Sequence, residues 1–158
     1  MTEDARFEDG ADKPLALMAR DAEDLQVISA LAQDAVFPAS EMRWTPADRR
    51  FAVLLNRFRW EDAAKAHGHR DFERVQSVLL FEDVLGVRSQ GVPKGDADTI
   101  LSLLAIEFRP GIDGTGEVVM TLAGDGVISC SVEALDVVLR DVTRPYIAPS
   151  GKAPQHPD

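Results

Sequence analysis

A chain of 158 residues, 45% hydrophobic and 28% charged, is long enough to build a core of its own, since a domain of this size removes roughly 70% of its unfolded surface from water. Seventeen basic against twenty-seven acidic residues leave a net charge of -10, which disfavours duplex DNA and anionic membrane surfaces as partners. The single cysteine excludes an internal disulfide, no run approaches the roughly 20 apolar residues of a membrane helix, and the acidic start MTEDARFEDGADK is unlike a secretory signal; the expectation is a reduced, cytoplasmic, bacterial protein.

Residues 1–14 read as a mobile acidic tail. Glu3, Asp4, Glu8, Asp9 and Asp12 surround Phe7, the one large apolar group before Leu15, too little burial to offset the entropy of ordering. Residues 15–142 read as one globular domain. Residues 143–158 read as a Pro-rich tail in which Pro145, Pro149, Pro154 and Pro157 interrupt regular structure and only Tyr146 and Ile147 look able to dock.

Within the domain, Leu15, Leu17 and Ala19 alternate as a strand does. Asp21 is placed to cap a helix with Glu23 and Asp24 in its first turn. Leu25, Ile28, Leu31, Ala32 and Ala35 then fall at helical spacing, and Pro38 is expected to close the helix. EMRWTPADRRFAVLLNRFRW reads as a hairpin turning at Pro46 and Asp48, its second strand apolar on both faces from Phe51 to Leu55 and therefore central. In DFERVQSVLLFEDVLGVRSQG, Val75, Leu79 and Phe81 share a face before EDVLGV bends the chain. TILSLLAIEFRP forms a further strand, with Ile100, Leu104, Ile106 and Phe108 expected on one face, and GIDGTG is a loop.

The last hairpin turns at Asp125 and Gly126, joining Val118, Met120 and Leu122 to Ile128, Cys130 and Val132. The alternation then changes phase to Leu135, Val137 and Leu139, which calls for a bulge or bend near Ala134. The fold class is thus α+β: one N-terminal helix packed on a mainly antiparallel, curved sheet of about six to eight strands.

Candidate chemistry is sparse. Cys130 sits in the inward row of its strand with no His or cation nearby in sequence, so it reads as a packed thiol rather than a nucleophile. His67 and His69 in HGHRDFE alternate with Asp71 and Glu73 and form a weak metal-ligand candidate. The neighbouring acids Glu82 and Asp83, and Asp96 and Asp98, fit turns better than a catalytic dyad. No residue is assigned a catalytic role and no cofactor is expected.

Charge is distributed unevenly. From Arg43 to Arg74, eight basic residues face five acidic ones, a net of +3, so the remainder carries -13. Arg43, Trp44, Arg49, Arg50, Arg57 and Arg59 are the candidate partner- or ligand-binding residues, Arg with Trp being the composition of interface hot spots.

The phrases LALMARDAEDLQVISALAQDAV, RFAVLLNRFRWE, RVQSVLLFEDVLGVRSQGV and LSLLAIEFRPG resemble a family of small uncharacterised bacterial proteins known as a domain of unknown function. The resemblance covers nearly all of residues 15–142 and implies no reaction, cofactor or site residue. The leading functional expectation is a non-catalytic module that binds another protein or itself as a homodimer, the Arg43 to Arg59 hairpin being the contact surface. An anionic metabolite held by Arg50, Arg57 or Arg59, as ligand or substrate, is the first alternative. RNA bound by the same arginines and aromatics is the second, disfavoured by the overall charge.

Overall fold

The computed structural model describes residues 14–59, 73–92, 98–142 and 146–147. Strand β1 (Ala16–Ala19) leads directly into helix α1 (Ala22–Leu31), whose start is fixed by Asp21: its carboxylate accepts the Asp24 N–H at 2.8 Å. Leu25 and Ile28 are buried on the helix, with Ala32 and Ala35 buried just beyond it. Pro38 does not close the helix. The helix stops at Leu31, Asp34 takes a left-handed φ of 65°, and the strand at Ile100–Pro110 captures the chain through Asp34 N to Leu103 O (2.7 Å) and Leu103 N to Ala35 O (2.9 Å). Pro38 ends the short strand β2 (Val36–Pro38) instead.

The remaining strands are β3 (Met42–Thr45), β4 (Arg50–Phe58), β5 (Glu73–Phe81), β6 (Val84–Gln90), β7 (Ile100–Pro110), β8 (Gly116–Leu122), β9 (Val127–Val132), β10 (Val137–Asp141) and β11 (Tyr146–Ile147). The β3–β4 hairpin turns where expected, through a 3-10 turn at Pro46–Asp48 and a left-handed Arg49. The sheet order is β1-β10-β5-β4-β2-β7-β8-β9-β6, with β3 added to β4 and β11 to β5, and every described pairing is antiparallel. About ten strands, eleven with the two-residue β11, exceed the six to eight expected. Segments as short as β2 and β11 have no periodicity to detect.

The curvature follows from one connection. Strands β5 and β6 lie six places apart in the sheet order, about 29 Å if the sheet were flat, yet only Glu82 and Asp83 join them. The sheet therefore curls over, and Val84 N reaches Arg49 O at 2.9 Å beside the start of β4. The edges β1 and β6 stay unpaired to one another, so the sheet is open, and α1 packs on β7 and β1 inside the curl.

The phase flip near Ala134 is met by the bend that the alternation called for: β9 ends at Val132, the chain bends at Glu133 and Ala134, and it crosses to the other half of the sheet before β10 begins. The bulges lie elsewhere, at Leu85 in β6 and Leu104 in β7, where the register slips by one residue. In β7 the slip moves the inward set to Leu101, Leu103 and Ile106, leaving Ile100 62% exposed and Leu104 turned outward.

Inward rows from both halves then form the core, including Phe37, Phe51, Leu55, Leu79, Phe81, Met120 and Leu139. Among the described residues, no helix is long and apolar enough to cross a membrane. Just past the Leu104 bulge, Ile106 N donates to Ser29 Oγ of α1 at 2.9 Å, pinning helix to sheet. Replacing Ser29→Ala leaves that N–H without its partner and should lower unfolding free energy by about 1 to 2 kcal/mol, read as a drop in urea midpoint at unchanged m-value.

Candidate functional site

Strand alternation gives the β1-β10-β5-β4-β3 half two faces, and its outward face can be read row by row from the register. At one end lies a row of ions: Arg20 is 4.0 Å from Asp136, and Arg50 Nε donates to Glu82 Oε1 at 3.0 Å. The next row is Met18, Val138, Leu80, Ala52 and Arg43. After it come Ala16, Arg140, Val78 and Leu54, and then Gln76 with Asn56. Ala52, Leu54, Val78, Leu80 and Val138 are half-buried, and Met18 is 52% exposed. Four of these side chains, Leu80, Val78, Ala52 and Leu54, form a two-by-two apolar block over the central strands β5 and β4.

Arg43 and Arg140 border this block on opposite sides. Both are exposed, and among the described residues neither has a carboxylate within ion-pair distance. Over these four rows the face carries four arginines against Glu82 and Asp136, a net of +2 on a chain of -10. The outward face of the other half is built differently: Arg109 pairs with Glu107, Arg88 pairs with Glu117, and Ser129, Ser131 and Thr121 fill positions between them. On that face one ion pair runs along β7, the other spans β9, and Val119 is buried among them.

Beneath the apolar block, on the core side, lies a buried polar network. Arg57 continues the inward row of β4 and is fully buried. Its Nη2 donates to Asp141 Oδ1 at 3.0 Å and Oδ2 at 3.2 Å, its Nε donates to Ser77 Oγ at 3.0 Å, and Nη1 donates to Phe58 O at 3.0 Å. Ser77 Oγ donates to Asp141 Oδ1 at 2.6 Å, and Leu15 N donates to Asp141 Oδ2 at 2.8 Å. Strands β4, β5, β10 and the start of β1 are therefore tied together by one ion pair.

The arginines of the sequence reading do not converge. Arg43 and Arg50 occupy the outward face, whereas Trp44 points to the core and packs partly buried against it. Arg49 leaves the turn to donate to Glu133 Oε1 at 2.8 Å. Arg57 and the buried Arg59 sit about 23 Å further along β4, on or near the core side. Arg74, also buried, stacks 4.3 Å over Phe58 and donates to Asn56.

His67 and His69 lie outside the described residues, as does Asp96. Among the described residues, no cluster of His, Cys, Asp or Glu could hold a metal ion. Glu82 is engaged with Arg50, and Asp83 makes the turn with a φ of 56°. The feature that sequence reasoning passed over is the outward row. Its signal was present, because Leu54, Val78, Leu80 and Val138 all fall on the parity opposite the core.

Cys130 is fully buried between Val87 and Val118 of the neighbouring strands. Burial pushes its thiol up to about 12, so the neutral form is held where thiolate chemistry requires the anion.

With this geometry in hand, the comparison with family models is decisive: residues 15–156 match the model described as "Protein of unknown function (DUF2948)". The chain belongs to the DUF2948 family. Searches of curated proteins and of solved structures gave no significant match. Membership in DUF2948 agrees with the resemblance seen in the sequence and brings no reaction or ligand with it.

Two outcomes follow for the buried groups. Asp141→Asn removes the carboxylate charge that pairs with the buried Arg57 guanidinium and should cost about 3 kcal/mol or more in urea unfolding; the double variant Arg57→Met, Asp141→Leu should cost less than the two single changes together. For Cys130 the folded state holds its proton more tightly than the unfolded state does. Its contribution to stability is complete below an unfolded value near 9.0 and is lost as pH rises toward about 12. Alkylation by iodoacetamide at pH 8 should proceed only as fast as the protein opens, and rapid labelling of the folded chain would contradict this burial.

Proposed function

We propose that this DUF2948 chain is a non-catalytic interaction module that presents the outward face of the β1-β10-β5-β4-β3 half to another polypeptide, one with apolar side chains set among acidic residues. The observation that carries the reading is the contrast between the two outward faces of one sheet. One sets two Arg–Glu pairs and two serines around the buried Val119, and the other runs Met18, Val138, Leu80 and Ala52 straight across four strands. A sheet with one face on the core normally turns polar residues to water on its other face, so a contiguous apolar row there supports a contact surface.

Size fits a peptide-scale contact: strands β4 and β5 are nine residues each, about 30 Å long, and five strands span about 19 Å, a footprint of at most about 570 Å² against the roughly 800 Å² per partner of a standard interface. Charge favours the partner's chemistry. Two copies of this face would bring +2 against +2, while an acidic segment would meet Arg43 and Arg140 with opposite sign and displace water from the block between them.

Two measurements test the reading. Sedimentation equilibrium should give a monomer of 17.3 kDa at micromolar concentration; a dimer dissociated by Leu80→Glu would assign the face to a second copy instead. Panning a random peptide library on the full chain should enrich sequences combining Leu, Ile or Phe with Asp or Glu whose binding is lost on Leu80→Glu. Enrichment that ignores this substitution, or favours basic peptides, would overturn the proposal.

A further inference from the structure

Resting on the interaction reading above, we infer that the face is shaped for a right-handed amphipathic helix lying along the seam between β4 and β5, with carboxylates at i and i+5 and apolar residues at i-3, i+1, i+4 and i+8. The inference comes from where the two free arginines sit. Arg43 is on β3 in the row of Ala52, and Arg140 is on β10 in the row of Leu54. Each is therefore one and a half strand spacings, about 7 Å, from the β4–β5 seam, on opposite sides. Along the strands they are two residues apart, again about 7 Å.

The hand of this diagonal is fixed by the ladder. Gln76 O accepts from Val142 N, so the outward residues of β5 turn their peptide groups toward β10, and those of β4 turn theirs toward β3. For L-residues this sets β3 to the right and β10 to the left, looking along β4 with the outward face uppermost. Arg43 is then near and right, and Arg140 is far and left.

A right-handed helix laid on that face passes from right, through the sheet side, to left as it recedes. Five residues advance it about 7.5 Å and turn it about 140° beyond a full turn, matching both the axial step and the two flanks. The same diagonal is met whichever way the helix runs. Residues i+1 and i+4 then project over Leu80, Val78, Ala52 and Leu54, while i-3 and i+8, on the same stripe within about 30° of the sheet direction, reach about 4.5 Å beyond the block at its two ends, toward the Arg50–Glu82 and Asn56–Gln76 rows. A helix of about 12 residues, roughly 18 Å, is shorter than the nine-residue strands beneath it. An extended strand lying there would place its side chains at two-residue steps and could not bracket the block in this way.

The test uses the full chain and a synthetic helical peptide carrying Glu at i and i+5 and Leu at the four apolar positions, with binding read by fluorescence anisotropy. The control peptide has identical composition with residues i+4 and i+5 exchanged. Binding should weaken at least about tenfold on that exchange, and similarly on Arg43→Glu or Arg140→Glu. Replacing the two Glu by Lys should restore binding to the double Arg→Glu variant. If both peptides bind alike and both are lost on Leu80→Glu, the interaction reading stands and the helix geometry is overturned. Binding that survives Leu80→Glu, or no binding of either peptide, overturns both. Ala52→Glu serves in place of Leu80→Glu if circular dichroism shows the latter unfolded.

Discussion

Two residues set the shape of this protein. Glu82 and Asp83 join strands that stand six places apart in the sheet, and no flat sheet allows so short a link across so wide a gap. Curling is the only solution, and it has one immediate consequence: the sheet acquires an inside, filled by the inward rows and closed by α1, and an outside that divides into two halves with separate neighbours. Each half then solves its own solvation problem. The half containing β6 to β9 does so with one ion pair along β7 and one that spans β9, and the half containing β4, β5 and β10 leaves its outward row apolar.

The buried Arg57–Asp141 pair belongs to that second half and lies directly under the apolar block's edge. Burying two charges is costly in itself, and such a pair is weak grounds for a stability argument. Its geometric effect is plainer. A bidentate guanidinium, a serine hydroxyl and a strand-end N–H all converge on one carboxylate, and a contact with so many directional constraints fixes the register of three strands at once. A rigid register is what turns a set of outward side chains into a surface of defined shape.

Much of the local structure could be read from the sequence because short-range rules governed it. Asp21 caps the helix through a bond three residues away, Pro46 and Asp48 turn the β3–β4 hairpin, and the β8–β9 hairpin turns at Gly124 and Asp125, one residue before the expected Asp125–Gly126 pair. The misjudged features all depend on distant pairing. Helix α1 stops before Pro38 because β7 captures the chain at Asp34 and Ala35, and the inward set of β7 is decided by a bulge against β8. The phase change near Ala134 was visible, but not that it marks a crossing between halves. For the candidate surface, the arginines of the Arg43 to Arg59 hairpin read as one patch in sequence. A strand places alternate residues on opposite faces, so Arg50 and Arg57, an odd number of positions apart, were bound to part company.

The same carboxylate network has a bearing on connectivity. Leu15 N donates to the Asp141 side chain and Asp141 N donates to Leu15 O, so two residues that bracket β1 to β10 in the chain touch in the fold. The order of elements between those points is a matter of covalent convenience rather than of packing. A circular permutant, joined across Leu15 and Asp141 by a short linker and opened at the exposed Gly124–Asp125 turn, would keep every described strand pairing of the native sheet except that of β11 with β5.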